Sequence, residues 1–163
     1  MRAFWLMAAV LPLAAQPKLL INAKVDTRSA AAGLEREFRT LLAAEPQPAW
    51  IGYTVPAAGG IQLGCGLVSS VIHLEPPDHA VILYRVEANA ASRIRALSPD
   101  CEIDAGRVPV HWLSDVQPAE SVEVLKGLIT SGPSEAVRRQ AMSSLGRSRD
   151  PRALAFFEDV LKR

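Results

Sequence analysis

Residues 80–86 read Ala80-Val81-Ile82-Leu83-Tyr84-Arg85-Val86, a near-continuous apolar run. A strand with one wet face alternates apolar and polar side chains. A run that is apolar at nearly every position predicts a strand covered on both faces, at the centre of a sheet. Glu87-Ala88-Asn89-Ala90 turns the chain, and Ser92–Leu97 returns with Ile94 and Ala96 inward and Arg93 and Arg95 outward. On the other side, Pro76-Pro77-Asp78 is a turn, and Leu67–Leu74 interleaves β-branched residues with serine, as a further strand does. Trp50–Val55 is aromatic and β-branched and reads as a strand, with Pro56–Gly60 as a loop after it. Short connections between neighbouring strands favour antiparallel pairing.

Further upstream, Lys18–Val25 reads as a short extended or irregular lead-in. Asp26-Thr27 offers an N-cap, and Leu34, Phe38, Leu41 and Leu42 make one apolar stripe. That spacing predicts a helix of about 15 residues ending near Ala44, with Glu35 and Arg39 paired four apart on its polar side. Pro46 and Pro48 stop it. Residues 17–116 are thus expected to form an α+β domain: an N-terminal helix covering an antiparallel sheet of about four or five strands.

After Val116 the β pattern disappears. Pro118 suits a first helical position, and Val122, Leu125 and Ile129 form a stripe that Gly132-Pro133 ends. Ser134 caps a second helix whose inner side is Val137, Ala141 and Leu145, with Gly146 expected as a left-handed C-cap. Asp150 and Pro151 start a third, carrying Leu154, Phe157 and Leu161. Residues 117–163 are expected to be three short antiparallel helices.

The last 30 residues, SEAVRRQAMSSLGRSRDPRALAFFEDVLKR (134–163), resemble one unit of the short, phycobilisome-lyase-type HEAT-like repeat found in bacterial proteins. Val137, Arg138, Ala141, Leu145, Gly146, Asp150, Pro151, Ala153, Leu154, Phe157 and Leu161 carry the match. The resemblance implies a C-terminal all-α HEAT-like helical hairpin following the α+β part, as in exported bacterial proteins with such repeats. It also implies a scaffold that presents a surface to another protein. Such repeats carry no catalytic residues, so none transfer.

Residues 1–16, MRAFWLMAAVLPLAAQ, have the layout of a secretory signal: a positive start at Arg2, an apolar stretch, then Pro12 and small residues. The stretch is shorter than the roughly 20 residues a spanning helix needs. The expected location is therefore secreted or periplasmic, with no membrane span after cleavage. In an oxidising compartment the two cysteines, Cys65 and Cys101, are expected to form a disulfide, stabilising the fold by about 4 kcal/mol.

The chain has 163 residues, with 49% hydrophobic and 21% charged, a globular composition. Its formal net charge of +1 gives no reason to expect nucleic-acid or acidic-membrane binding. Losing residues 1–16 removes only Arg2 from the charges and leaves Lys+Arg equal to Asp+Glu at 17.

Candidate chemistry is sparse. Asp100, Glu102 and Asp104 alternate around Cys101 and, on an extended chain, would share one face able to hold a hard cation. A solvated acidic edge paired with Arg93 and Arg95 is the plainer reading. His73, His79 and His111 lack metal-ligand spacing, and His111, between Val110 and Trp112, reads as a packed imidazole. A Cys101–His111 nucleophilic pair would require a thiolate, which a disulfide forbids. No serine sits in a nucleophile elbow, and Gly59-Gly60 lacks the lysine of a phosphate cradle. Arg138, Arg139, Arg147, Arg149 and Arg152 make the last helices basic, diluted by Glu135, Asp150 and Glu158. No catalytic residue, metal or cofactor is assigned. The expected function is an exported, non-enzymatic protein–protein interaction module. The alternative is a small secreted hydrolase or metal- or ligand-binding protein using the Asp100–Asp104 region or His111.

Overall fold

In the computed structural model, which describes residues 19–44, 48–65 and 71–162, the run at 80–86 lies inside a nine-residue strand. In chain order the elements are β1 (Leu20–Ile21), β2 (Val25–Ser29), α1 (Leu34–Ala44), β3 (Ala49–Pro56), β4 (Ile61–Gly64), β5 (Val71–Leu74) and β6 (His79–Glu87). There follow β7 (Ala90–Leu97), β8 (Ile103–Asp104), β9 (Val110–Ser114), α2 (Pro118–Ser131), α3 (Glu135–Arg147) and α4 (Pro151–Leu161). The secretory reading of residues 1–16 and the first part of the strand expected at Leu67–Leu74 fall outside the described residues.

β6 is buried on both faces, as its composition demands. Ile82, Tyr84 and Val86 join one cluster, with α1, α2 and α3. Val81 and Leu83 join the other, with Trp50, Trp112 and the segment around Cys101 and Ile103. β3 pairs antiparallel with β6, placing Ile51 opposite Tyr84 and Tyr53 opposite Ile82. Between the faces, Gly52 is required by space: a Cβ there would meet Leu83 Cδ2 at 2.6 Å and Trp112 Cζ3 at 2.9 Å.

The sheet itself corrects the expectation of an antiparallel one. It is mixed and five-stranded, in the order β2-β9-β3-β6-β7. β9 pairs parallel with both β2 and β3, so β2–α1–β3 is a crossover with β9 inserted between its strands. Asp26 and Thr27 are therefore strand residues, not a helix cap. β2 is an edge strand with a polar sequence, and its last four residues are exposed; an edge needs no apolar pattern, so periodicity does not reveal it. The helix after it has 11 residues, and its first amide, Leu34 N, donates to Glu120 Oε2 at 3.1 Å. The cap arrives from α2, remote in sequence.

The three C-terminal helices form close to where the periodicity places them, but they are not a separate all-α HEAT-like hairpin. The cluster that holds Val137, Ala141, Leu145 and Ala153 also holds Ile51, Tyr53, Tyr84, Ile94 and Leu113. These helices cover the sheet instead of stacking on a further repeat. Gln140 on α3 binds the edge strand directly: Ile94 N donates to Gln140 Oε1 at 2.7 Å. Gly146 is no left-handed cap. It lies within α3, and the left-handed residue of the joint is Arg149, at φ 51°.

Ser134 and Asp150 cap α3 and α4 as read, Val137 N donating to Ser134 Oγ at 3.2 Å and Arg152 N to Asp150 Oδ1 at 2.8 Å. Arg152 also grips both Asp150 oxygens and holds that carboxyl below its ordinary range, against the opposing effect of burial. Asp150→Ala is expected to cost about 1 kcal/mol at neutral pH. A carboxyl depressed in the folded state stabilises above its unfolded value of about 4, and that contribution disappears as pH falls through the lower folded value. Urea unfolding of both chains at neutral and strongly acidic pH should show the variant's deficit shrinking in acid.

Candidate functional site

The residues singled out for chemistry do not converge. Asp100, Glu102 and Asp104 are exposed and alternate with buried Cys101, Ile103 and Ala105. Asp104 accepts from Gly106 N at 2.8 Å, and Asp100 accepts from Ser98 Oγ at 3.4 Å. Neither Arg93 nor Arg95 pairs with them among the described residues; Arg95, half-buried, donates to the Cys65 carbonyl at 3.1 Å. His111 is buried on β9, with Nδ1 3.5 Å from Asp26 Oδ2 across the β2–β9 pair. Arg28 holds the Asp26 carboxyl below the usual range, with His111 adding to the effect. Asp104 lies on a different strand pair, β1–β8. Among the described residues, no group of three or more His, Cys, Asp or Glu side chains is placed to hold a metal ion. No helix among them is long and apolar enough to cross a membrane.

Cys65 and Cys101 form the expected disulfide, with Cα atoms 5.2 Å apart. It joins the end of β4 to the segment beneath the sheet's second face. Cys101 is buried and bonded, and so is not a thiolate.

One polar cluster was not singled out from the sequence. Tyr53 and Tyr84, both fully buried, place their hydroxyls 2.7 Å apart, and Tyr53 also meets Ser121 Oγ of α2 at 3.0 Å. Burial pushes the Tyr53 phenol up to about 12 and Tyr84 well above its ordinary value, so both remain protonated. They bond the sheet to α2 and supply no nucleophile at neutral pH. The trace in sequence is slight: Tyr53 and Tyr84 share the helix-facing alternation with Ile51 and Ile82.

Two surfaces remain. Beside this cluster, a slot of about 70 Å³ opens between the sheet, the β4–β5 hairpin, α2 and the last turn of α3. The base of the hairpin is closed by Gly60 N donating to Glu75 Oε1 at 2.8 Å, and it is tied to the α3–α4 joint by Arg149 Nη1, which donates to the Gly59 carbonyl at 2.8 Å.

The second surface is the outer face of α3 and α4. The residues of the repeat resemblance divide here. Val137, Ala141 and Leu145 are wholly buried, Asp150 and Pro151 start α4, and Phe157 is half-buried. A Cβ on Gly146 would meet Phe157 at 3.9 Å, an ordinary contact. Leu154 is 62% and Leu161 86% exposed, and Ala153 is the one buried residue of α4. Met142, one turn before Gly146 on α3, is 44% exposed. Leu154 and Leu161 are two helical turns apart with Phe157 between them, so on α4 the two exposed leucines form one ridge.

No protein-family model, no curated protein and no solved structure matches this chain, so the HEAT-repeat resemblance of residues 134–163 gains no support from known proteins.

Proposed function

We propose that the protein is an exported, non-enzymatic interaction module that holds an amphipathic helix of a partner protein on its α3–α4 face. The ridge of Leu154 and Leu161 carries this reading, because these two large apolar side chains of α4 stand mostly in solvent. Leu154 and Leu161 stand about 10 Å apart along the axis, the two-turn spacing of a partner helix's own apolar residues. Glu158–Lys162 on α4 and Glu135–Arg139 on α3 are exposed charge pairs, so these helices carry both signs. A mixed rim suits a protein partner, whereas an anionic lipid surface selects an excess of lysine and arginine. The disulfide supports export, since such bonds persist in oxidising compartments.

The reading is tested with a photo-crosslinking residue at position 161 of the full chain, expressed in a cell that secretes it, with a second probe at position 102 as control. The expected result is one defined adduct at 161 and none at 102. The partner, purified, should lose at least about tenfold in affinity for a Leu154→Glu, Leu161→Glu chain. An adduct consisting of a second copy of this chain, equal adducts from both probes, or unchanged affinity of the double variant would each overturn it.

A further inference from the structure

The slot beneath the hairpin has a chemistry of its own, independent of the α3–α4 ridge. Its wall is apolar: Val55, Ile61, Ala80, Ile82, Ala96 and Leu125 all line it. An apolar cavity of this kind stays dry and admits apolar ligands; roughly 150 Å³ accepts benzene, so about 70 Å³ has room for a chain of about three or four carbons.

Its polar lining comes from two places: Ser144, Arg147 and Ser148 from the C-terminal end of α3 and its cap, and Ser121 from the start of α2. Ser121 is bonded to Tyr53, and Ser148 donates to the Leu145 carbonyl at 2.6 Å. Ser144 and Arg147, three apart and so on one side of α3, have no such engagement among the described residues. Arg147 is exposed and also lines a wider groove, with Gly60, Ile61, Gln62, Gly146 and Arg149. Ile61 and Arg147 line both spaces, so the slot and the groove adjoin.

The carboxylate near this mouth, Asp150, is already neutralised by the two-pronged grip of Arg152. The first turn of α2 has no side-chain cap, and its Pro118 and Ser121 line the slot. Arg147 is thus an unmatched cation at the opening of a narrow apolar slot, with the Ser144 hydroxyl beside it as a second donor.

We propose that this slot binds a short-chain aliphatic carboxylate, its alkyl end among Ile61, Ala96 and Leu125 and its carboxylate on Arg147 and Ser144. An unpaired guanidinium matches a carboxylate through two parallel hydrogen bonds. The slot's depth limits the chain, and the cation at its mouth selects the charge. The Leu154–Leu161 ridge lines neither the slot nor the groove, so either reading stands or falls without the other.

Titration of the isotope-labelled, disulfide-intact chain with sodium valerate, followed by amide chemical shifts, tests the proposal. Saturable shifts are expected at Ile61, Ala96, Leu125 and Arg147. Arg147→Gln, a surface change that leaves the core intact, should weaken valerate binding by about tenfold or more. Ala96→Leu should abolish it by filling the slot, and 1-pentanol, of the same length without the charge, should bind far more weakly than valerate. The absence of saturable shifts at the slot, wild-type affinity in Arg147→Gln, or equal binding of pentanol and valerate would overturn the proposal.

Discussion

Cys65→Ser, Cys101→Ser is expected to lower the unfolding free energy by about 4 kcal/mol, with the urea midpoint falling and the slope nearly unchanged. Cysteines 36 positions apart close a long loop, and opening it returns that entropy to the unfolded chain. The consequence is local as well as global. The bond anchors β4, whose sheet partner among the described residues is β5 alone, and four-residue strands paired as a lone hairpin are marginal in water. Otherwise the hairpin rests on a small cluster of Ala57, Ile61, Leu63, Leu74 and Ala80, and on the Glu75 and Arg149 contacts at its base. Against a typical total of about 5–15 kcal/mol the loss is large. Limited proteolysis of the double variant should cut first within residues 57–74. A loss below about 1 kcal/mol would mean that the unfolded chain already keeps residues 65 and 101 close.

Leu145→Ala is expected to cost about 2–5 kcal/mol, and Leu161→Ala to stay within about 0.5 kcal/mol. From periodicity alone the two leucines are equivalent members of apolar stripes on successive helices. In the folded chain Leu145 has no exposed surface and packs in the cluster shared with the sheet, whereas Leu161 is 86% exposed. Removing Leu145 leaves a cavity among side chains that cannot close over it. Removing Leu161 takes away atoms that touch mostly water. Equilibrium urea unfolding of both variants at several protein concentrations decides the matter. A cost at Leu161 comparable to that at Leu145, growing with concentration, would show the ridge buried against a second copy.

Much of the element layout was legible in local chemistry. The stretch at 80–86 is a strand buried on both faces, the helices start where Ser134, Asp150 and the prolines place them, and the two cysteines pair. The misreadings share one cause. Asp26-Thr27 has the chemistry of a helix cap, yet hydrogen bonds to β9, some 85 residues away, make it a strand. Gly146 has the chemistry of a C-cap, yet it stays helical and Arg149 takes the left-handed turn. The candidate site was read least well. The acidic segment and His111 were visible as residue types, but they lie on separate strand pairs. The slot is assembled from β3, β4, β6, β7, α2 and α3, and no spacing along the chain encodes such a gathering.

By itself, the sequence determined which segments are apolar on one side, which on both, and where α2, α3 and α4 begin, because those depend on interactions within a few residues. Only the tertiary structure decided that β9 enters between β2 and β3, that α2 caps α1, and that the C-terminal helices cover the sheet while Leu154 and Leu161 face solvent. The physical reason is that an apolar stripe states that a face avoids water without naming what will cover it. The partner is chosen by whichever surfaces meet when the whole chain closes, and on α4 two of the three stripe residues stay mostly exposed among the described residues.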